Sequence, residues 1–136
     1  METPAYCEAA GRPFLRAARI PLDAQVPFDL LGFASEFSRA QAILLDAHVE
    51  GFGGAGKAFD WSRIPTNVNA HLVLSGGLTP ANVGDGIAQV RPRAKTLAVD
   101  VSSGVESAKG IKDAGKITQF VAAVRAADAL LANSPE

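Results

Sequence analysis

The sequence predicts an α/β fold in which successive strand–helix units build a parallel sheet. Short, almost uninterrupted aliphatic runs have the length and character of strands buried in such a sheet. Segments with helical spacing of apolar residues lie between these runs. The order is one helix and then four strand–helix units, and it extends over 136 residues. This alternation argues for a single domain, residues 1–136, with a parallel sheet.

Four apolar runs are the predicted strands. The first is interrupted by Arg16 and Arg19, whose directions the sequence leaves open. The other three are nearly continuous aliphatics. The runs are Phe14–Ile20, Ala42–Ala47, His71–Gly77 and Thr96–Ser102.

Helical patterns fill the intervals between the strands. In the third long helix Thr79 is the predicted N-cap and Pro80 the first helical residue, both common at these positions. The last helix has the clearest apolar stripe. After Trp61 only a short helix is expected, because Pro65 follows closely. The predicted helices cover Glu2–Ala10, residues 28–39, residues 79–90 and residues 116–131.

Composition argues against several classes of partner and site. The net charge is −1, from 13 basic and 14 acidic residues, so we expect neither nucleic-acid nor membrane binding. The single cysteine, Cys7, fits a reducing compartment. With no signal-peptide pattern and no membrane-length apolar run, a cytoplasmic location is expected. Neither His48 nor His71 lies in a cluster with ligand spacing, so no metal is expected.

Glycine and serine clusters follow the third and fourth predicted strands. Gly76 and Gly77 come directly before a helix, and Ser102, Ser103 and Gly104 follow the next strand. The carboxyl ends of neighbouring parallel strands lie together, at the functional end of such sheets. Each cluster alone is explained by a tight turn. As a pair, they favour a phosphate site built from backbone N–H groups and a helix N-terminus.

Two aspartates end aliphatic strands. Asp46 closes the second strand, where a carboxylate is costly unless it is paired or used. An apolar surround would suit it to general-acid chemistry, although a capping or ion-pairing role is equally compatible with its position. Asp100 stands in the same place on the fourth strand, where bracing a loop or contacting a substrate is expected.

A glycine-rich loop follows Asp46, and it resembles part of a nucleotide-binding P-loop. The stretch GFGGAGKA, residues 51–58, fits G-x-x-x-x-G-K but has Ala58 where a P-loop needs a Mg²⁺-binding Ser or Thr. The stretch is therefore either a damaged P-loop or a glycine loop with another role, and the pattern alone leaves both open. It contains Gly53, Gly54, Gly56 and Lys57.

Three stretches in order resemble phosphoribosylanthranilate isomerase, a family of tryptophan biosynthesis. They are LLDAHVEGFGGAGKAFDW, LSGGLTPANV and VDVSSGVESAKGIKD. The resemblance implies a (βα)8 TIM barrel, of which this chain would be strands 5–8: a half barrel that lacks the N-terminal half. It also implies an Amadori rearrangement, an aldose–ketose isomerisation (an intramolecular oxidoreductase reaction), with a small phosphorylated substrate and no cofactor.

The resemblance assigns roles to individual residues. Asp46 matches the general acid and Asp100 an aspartate close to the substrate. The flexible loop, or lid, over the active site is matched by Gly53, Gly54, Gly56 and Lys57. Ser75 and Ala58 depart from the family pattern without removing a catalytic group. The phosphate cradle is matched by Gly76, Gly77, Ser102, Ser103 and Gly104.

The family's general base is a cysteine at the end of strand 1, in the half that the resemblance leaves out; Cys7 does not match it. Four strands cannot close a barrel built for eight, so two sheet edges would be left open. We expect an isomerase chain that is inactive alone and needs the N-terminal half. The alternative is a non-catalytic phosphate-binding half barrel that self-associates through its open edges. A P-loop nucleotide hydrolase is a third hypothesis.

Overall fold

The computed structural model describes residues 3–23, 25–48 and 58–132. Single 3-10 turns stand at Trp61–Arg63, Arg91–Arg93 and Ser103–Val105. The helices are α1 (Pro4–Glu8), α2 (Leu30–Glu36), α3 (Val83–Val90) and α4 (Ala114–Ala132). The strands are β1 (Leu15–Pro21), β2 (Ala42–His48), β3 (Val68–Leu74), β4 (Ala94–Val99), β5 (Glu106–Ala108) and β6 (Ile111–Lys112).

The first four strands form one parallel sheet in the order β1-β2-β3-β4. The predicted α/β class with parallel βα units is therefore confirmed. Consecutive strands are neighbours, as short right-handed βα connections favour. Within the described ranges, β1 and β4 are the two edges of this sheet.

One face of the sheet carries the core. Its side chains alternate along each strand, as the two-residue period of a strand requires. Ala18, Leu45 and Leu74 lie side by side in register and are completely buried. Helices α2, α3 and α4 supply the apolar residues that cover them, including Leu30, Val83, Ile87, Val90 and Phe120.

The opposite face of the sheet has no buried residue within the described ranges. Leu15 on β1 is 62% exposed, and Ala17 and Arg19 on the same strand are exposed as well. Leu44 and Val73 are half-buried and lie outside the core cluster. We call this surface the open face. It is the face that carries Asp46, because Asp46 alternates with the buried Leu45 and Ala47.

The third strand lies three residues earlier than predicted. It begins at Val68, which is buried, although the polar Asn69 and the small Ala70 conceal the start of the apolar run. It ends at Leu74 because Gly76 and Gly77 have φ values of 81° and 70°. Such left-handed residues leave the extended conformation of a strand. The glycines therefore belong to a loop and not to the strand.

Thr79 does not cap helix α3, and this prediction was wrong. The helix begins at Val83, with Asn82 as its N-cap residue. The Asn82 side chain accepts a hydrogen bond from the Thr79 N–H at 2.7 Å and donates one to the Gly77 carbonyl at 2.9 Å. The Asn82 side chain therefore stabilises the loop before α3, and the helix begins about one turn later than the threonine–proline pair predicts.

The remaining helices agree with the predictions in kind. Thr3 caps α1, since its hydroxyl accepts from the Tyr6 N–H at 3.1 Å. Helix α4 runs to Ala132, and the short β5–β6 hairpin before it was not predicted. Neither α4 nor any other helix in the described ranges combines the length and apolar character that a membrane span needs.

Candidate active site

A row of polar side chains crosses the open face at the carboxyl edge of the sheet. Arg19 on β1 is the register partner of Asp46 on β2. Leu45 pairs with Leu74 and Leu74 with Val99, so Ser75 and Asp100 continue the same row one residue beyond those pairs. The structure thereby brings the two aspartates that the sequence singled out to one edge. It also places Arg19 there, while Arg16 lies with its guanidinium 4.7 Å from the Phe37 ring centre.

Asp46 is held against the loop that follows β3. Its Oδ1 accepts a hydrogen bond from the Ala47 N–H at 2.9 Å. A Cβ at Gly76 would lie 2.6 Å from that same Oδ1 and 2.6 Å from the Ala47 nitrogen. Only glycine leaves room for the carboxylate at this point, and only glycine readily adopts the local φ of 81°. The half-buried carboxylate therefore has a defined position.

Asp100 is exposed and contacts the same loop. The Ser75 hydroxyl donates to its Oδ2 at 3.3 Å, a long hydrogen bond. The backbone supports this arrangement, since Ser75 N–H donates to the Leu45 carbonyl and Asp100 N–H to the Leu74 carbonyl, each at 2.9 Å. The loop after β3 thus contacts both carboxylates.

The two glycine and serine loops pack directly on each other. A Cβ at Gly104 would lie 1.8 Å from the Leu78 carbonyl oxygen, so the two backbones touch where a side chain is absent. Ser102 and Ser103 are exposed beside this contact. The structure therefore packs the Ser102–Gly104 loop against the segment that directly follows Gly76 and Gly77.

The β5–β6 hairpin adds charged residues that the sequence reasoning missed. Lys112 Nζ donates to Glu106 Oε2 at 2.6 Å and to the Ser102 carbonyl at 2.9 Å. Glu106 Oε1 accepts from the Gly110 N–H at 3.1 Å. The signal was present in the sequence, because Lys112 belongs to the stretch SAKGIKD that carried part of the resemblance.

Acid is expected to weaken this hairpin. The hydrogen bond from Lys112, followed by that from the Gly110 N–H, holds the pKa of Glu106 below its usual value of 4.5. The contribution of Glu106 to stability is therefore complete above about pH 4.5 and is lost as the pH falls below it through the folded pKa. Urea unfolding followed between pH 6 and pH 3, roughly the window set by this linkage, should show a steeper loss for the natural chain than for Glu106→Gln. Equal slopes would contradict the assignment.

The predicted lid lies outside the described residues. Gly53, Gly54, Gly56 and Lys57 are all in the segment between His48 and Ala58, so their role stays a prediction. In the parts of the chain that the structure describes, no three His, Cys, Asp or Glu side chains form a group able to hold a metal ion.

Comparison with known families decides the relationship of this chain. Residues 2–123 match the family model described as N-(5'phosphoribosyl)anthranilate (PRA) isomerase. The chain belongs to the PRA isomerase family. The resemblance of the three sequence stretches to this family is thereby confirmed.

Two curated relatives carry the same family name, N-(5'-phosphoribosyl)anthranilate isomerase. The protein from Leptothrix cholodnii is 66% identical over 128 residues, covering 94% of this chain and 54% of the relative. That from Methylibium petroleiphilum is 62% identical over 133 residues, covering 98% and 59%. The chain thus spans little more than half the length of these PRA isomerases.

The fold agrees with a solved structure of the family. The crystal structure of phosphoribosyl anthranilate isomerase from Thermotoga maritima superposes with a TM-score of 0.65 at 34% identity. The match covers 92% of this chain and 58% of that protein. The parallel α/β architecture is therefore that of PRA isomerases, which are TIM-barrel proteins.

Proposed function

We propose that this chain supplies the carboxyl-terminal, phosphate-binding half of a PRA isomerase barrel. Support comes from the one-sided sheet: helices cover one face, and the open face carries Asp46 and Asp100 at its carboxyl edge. In a TIM barrel the helices lie outside and the catalytic groups lie at the carboxyl ends of the strands. The four strands would correspond to strands 5–8.

The proposed reaction is an Amadori rearrangement, in which an aldose derivative becomes a ketose. Asp46 donates a proton to the ribose ring oxygen of N-(5'-phosphoribosyl)anthranilate as the bond from that oxygen to C1 breaks. The C1–nitrogen single bond becomes the double bond of a Schiff base. A base then removes the C2 proton, and the resulting enol tautomerises to the C2 ketone with a proton added at C1. Within the one molecule C1 is reduced and C2 is oxidised, so the rearrangement is an intramolecular oxidoreduction.

The positions of the two carboxylates support this division of roles. Asp46 is half-buried and held by the Ala47 N–H, as a proton donor that must meet one substrate atom requires. Asp100 is exposed and lies beside Ser75, where it is suited to contact substrate hydroxyl groups. The adjoining loops, Gly76–Gly77 and Ser102–Gly104, would hold the phosphate of the substrate. The glycine loop after β2 would cover the site.

The proposed partner is the N-terminal half of the barrel. The base that removes the C2 proton would come from this half, as the cysteine ending strand 1 in the family resemblance. Strands β1 and β4, which are the edges of the sheet within the described ranges, would receive its strands. The biosynthetic family and the single cysteine support a cytoplasmic location for the assembled enzyme.

Reconstitution tests the proposal. The purified chain is given N-(5'-phosphoribosyl)anthranilate alone and together with a separately produced N-terminal half of a PRA isomerase, and product is followed by ³¹P NMR. Turnover only in the mixture is expected. Turnover by the chain alone would contradict the need for the second half, and a mixture that neither assembles nor reacts would contradict the assignment as a working half barrel.

The open face also supports a second candidate, a non-catalytic phosphate-binding module that self-associates. Leu15 is 62% exposed on β1, an edge strand of the sheet as far as the structure describes the chain, and this favours contact with another chain. In this case the chain alone would sediment as a dimer and bind a ribulose 5-phosphate analogue, with no turnover in either sample. A chain that sediments as a monomer and does not bind phosphate ligands would exclude this candidate.

A further inference from the structure

Lys112 is the hub of a polar network that surrounds the loop after β4. Its ammonium lies 2.9 Å from the Ser102 carbonyl oxygen, 3.4 Å from the Ser102 hydroxyl and 2.6 Å from Glu106 Oε2. Glu106 is in turn fixed from two further directions. Its Oε1 accepts from the Gly110 N–H, and its carbonyl accepts from Lys116 Nζ at 2.8 Å. The hairpin and the start of α4 therefore hold this loop together.

The Ser102 carbonyl determines where the next N–H points. In a trans peptide the C=O of one residue and the N–H of the following residue are directed oppositely. Ser102 has φ −130° and ψ −83°, neither helical nor extended. The hydrogen bond within its own turn, from the Val105 N–H, is long at 3.4 Å. The shorter contact with Lys112 thus directs the Ser102 carbonyl, and the Ser103 N–H is turned away from the ammonium.

The other side of the loop is fixed by packing. Gly104 lies against the Leu78 carbonyl, so close that a Cβ would be 1.8 Å from the oxygen. Contact with the Leu78 backbone and the bond to Lys112 act on two ends of the same three-residue segment. Between them the Ser103 N–H has a defined direction, as a backbone anion site needs.

We propose that Lys112 is a positioning residue for phosphate recognition, acting through the Ser102–Ser103 peptide. This rests on the proposed function of the loop as the phosphate cradle. Lys112 is already engaged by Glu106, which offsets its charge, so its role is to orient the Ser103 N–H and not to attract the anion. A direct ammonium–phosphate contact would require Lys112 to leave both Glu106 and Ser102.

The test uses the chain itself with inorganic phosphate as the probe. Affinity is measured by NMR titration for Lys112→Met and for the matched control Lys109→Met, a lysine on the same exposed hairpin. We expect affinity to fall about tenfold for Lys112→Met, the loss typical of one charge-assisted hydrogen bond, and less than about twofold for Lys109→Met. Equal effects in the two variants would overturn the proposal.

Two further measurements separate positioning from charge. The double variant Glu106→Gln with Lys112→Met keeps the net charge of the natural chain, so a positioning role predicts that its affinity stays low. Recovery of the natural affinity would mean that Lys112 only neutralises Glu106. The salt dependence of binding should be unchanged in Lys112→Met, whereas a direct contact would reduce its slope.

A ligand-free measurement distinguishes failure of this inference from failure of the proposed function. The Ser103 amide resonance should shift in Lys112→Met and return toward its natural position in Lys112→Arg. If the natural chain does not bind phosphate while this shift occurs, Lys112 does orient the Ser102–Ser103 peptide, and its role in phosphate recognition is overturned. If the Ser103 resonance does not move, Lys112 does not orient the peptide and the inference is wrong.

Discussion

Replacing Asp46 by asparagine is expected to lower the turnover of the reconstituted isomerase by about 10²- to 10⁴-fold, the range that general acid catalysis contributes. Asparagine has the same shape but cannot deliver a proton to the ring oxygen. Its amide oxygen can still accept the Ala47 N–H that Oδ1 accepts at 2.9 Å. The fold should therefore persist, and kcat should fall much more than KM changes.

The control for this variant is Asp85→Asn. Asp85 is exposed on α3, where it accepts a hydrogen bond from Gln89, and its replacement should leave turnover within about twofold, as for surface changes away from a site. Urea unfolding of both variants checks that the fold is retained. An Asp46→Asn enzyme with nearly natural kcat would remove Asp46 from the role of general acid.

Gly104→Ala should have the largest effect on the chain alone. The new Cβ would stand 1.8 Å from the Leu78 oxygen, 2.9 Å from the Leu78 carbonyl carbon and 3.2 Å from the Thr79 Cα. These are backbone atoms that cannot rotate aside, so the two loops must separate. We expect a loss of about 3 kcal/mol in the free energy of unfolding, at the upper end for overpacking, together with loss of phosphate binding.

Gly84→Ala is the matched control for the added methyl group. Gly84 lies in α3, and the nearest atom to its Cβ would be the Ala123 carbonyl oxygen at 3.9 Å, an ordinary contact. Alanine is favoured over glycine in a helix by up to about 1 kcal/mol, so this variant should unfold at higher urea concentration. If Gly104→Ala matched it in stability and in phosphate affinity, the described contact between the loops would be wrong.

The parallel sheet was predictable because a strand buried in it requires a continuous run of aliphatic residues, which is visible in the sequence. The aliphatic run from Ala42 to Ala47 predicts β2, and the rule that parallel strands end together brings Asp46 and Asp100 to one edge. The end of β3 was not predictable from hydrophobicity. It depends on the left-handed conformation of Gly76, which the letter glycine permits but does not require.

The missed parts of the candidate site depend on contacts between distant groups. Lys112 reaches Ser102 across a hairpin whose strands have three and two residues, too short for any periodicity to appear. Helix α3 has Asn82 as its N-cap residue, although the Asn82 side chain makes no capping hydrogen bond and instead donates to the Gly77 carbonyl. Both residues are favoured N-caps, asparagine more than threonine, so propensity alone does not exclude a helix that starts after Thr79.

The open face has a consequence for natural variation in this chain. Leu45 and Leu74 are buried by the chain's own helices, so selection for folding acts on them in every context. Leu44 and Val73 point to the other side and lie outside that core, so only a covering partner would keep them apolar. The substitutions accepted along a single strand therefore differ between two cases. In a chain that functions alone, only every second residue, the buried one, has to stay apolar. In a chain whose open face is covered by a partner, the residues between them have to stay apolar as well.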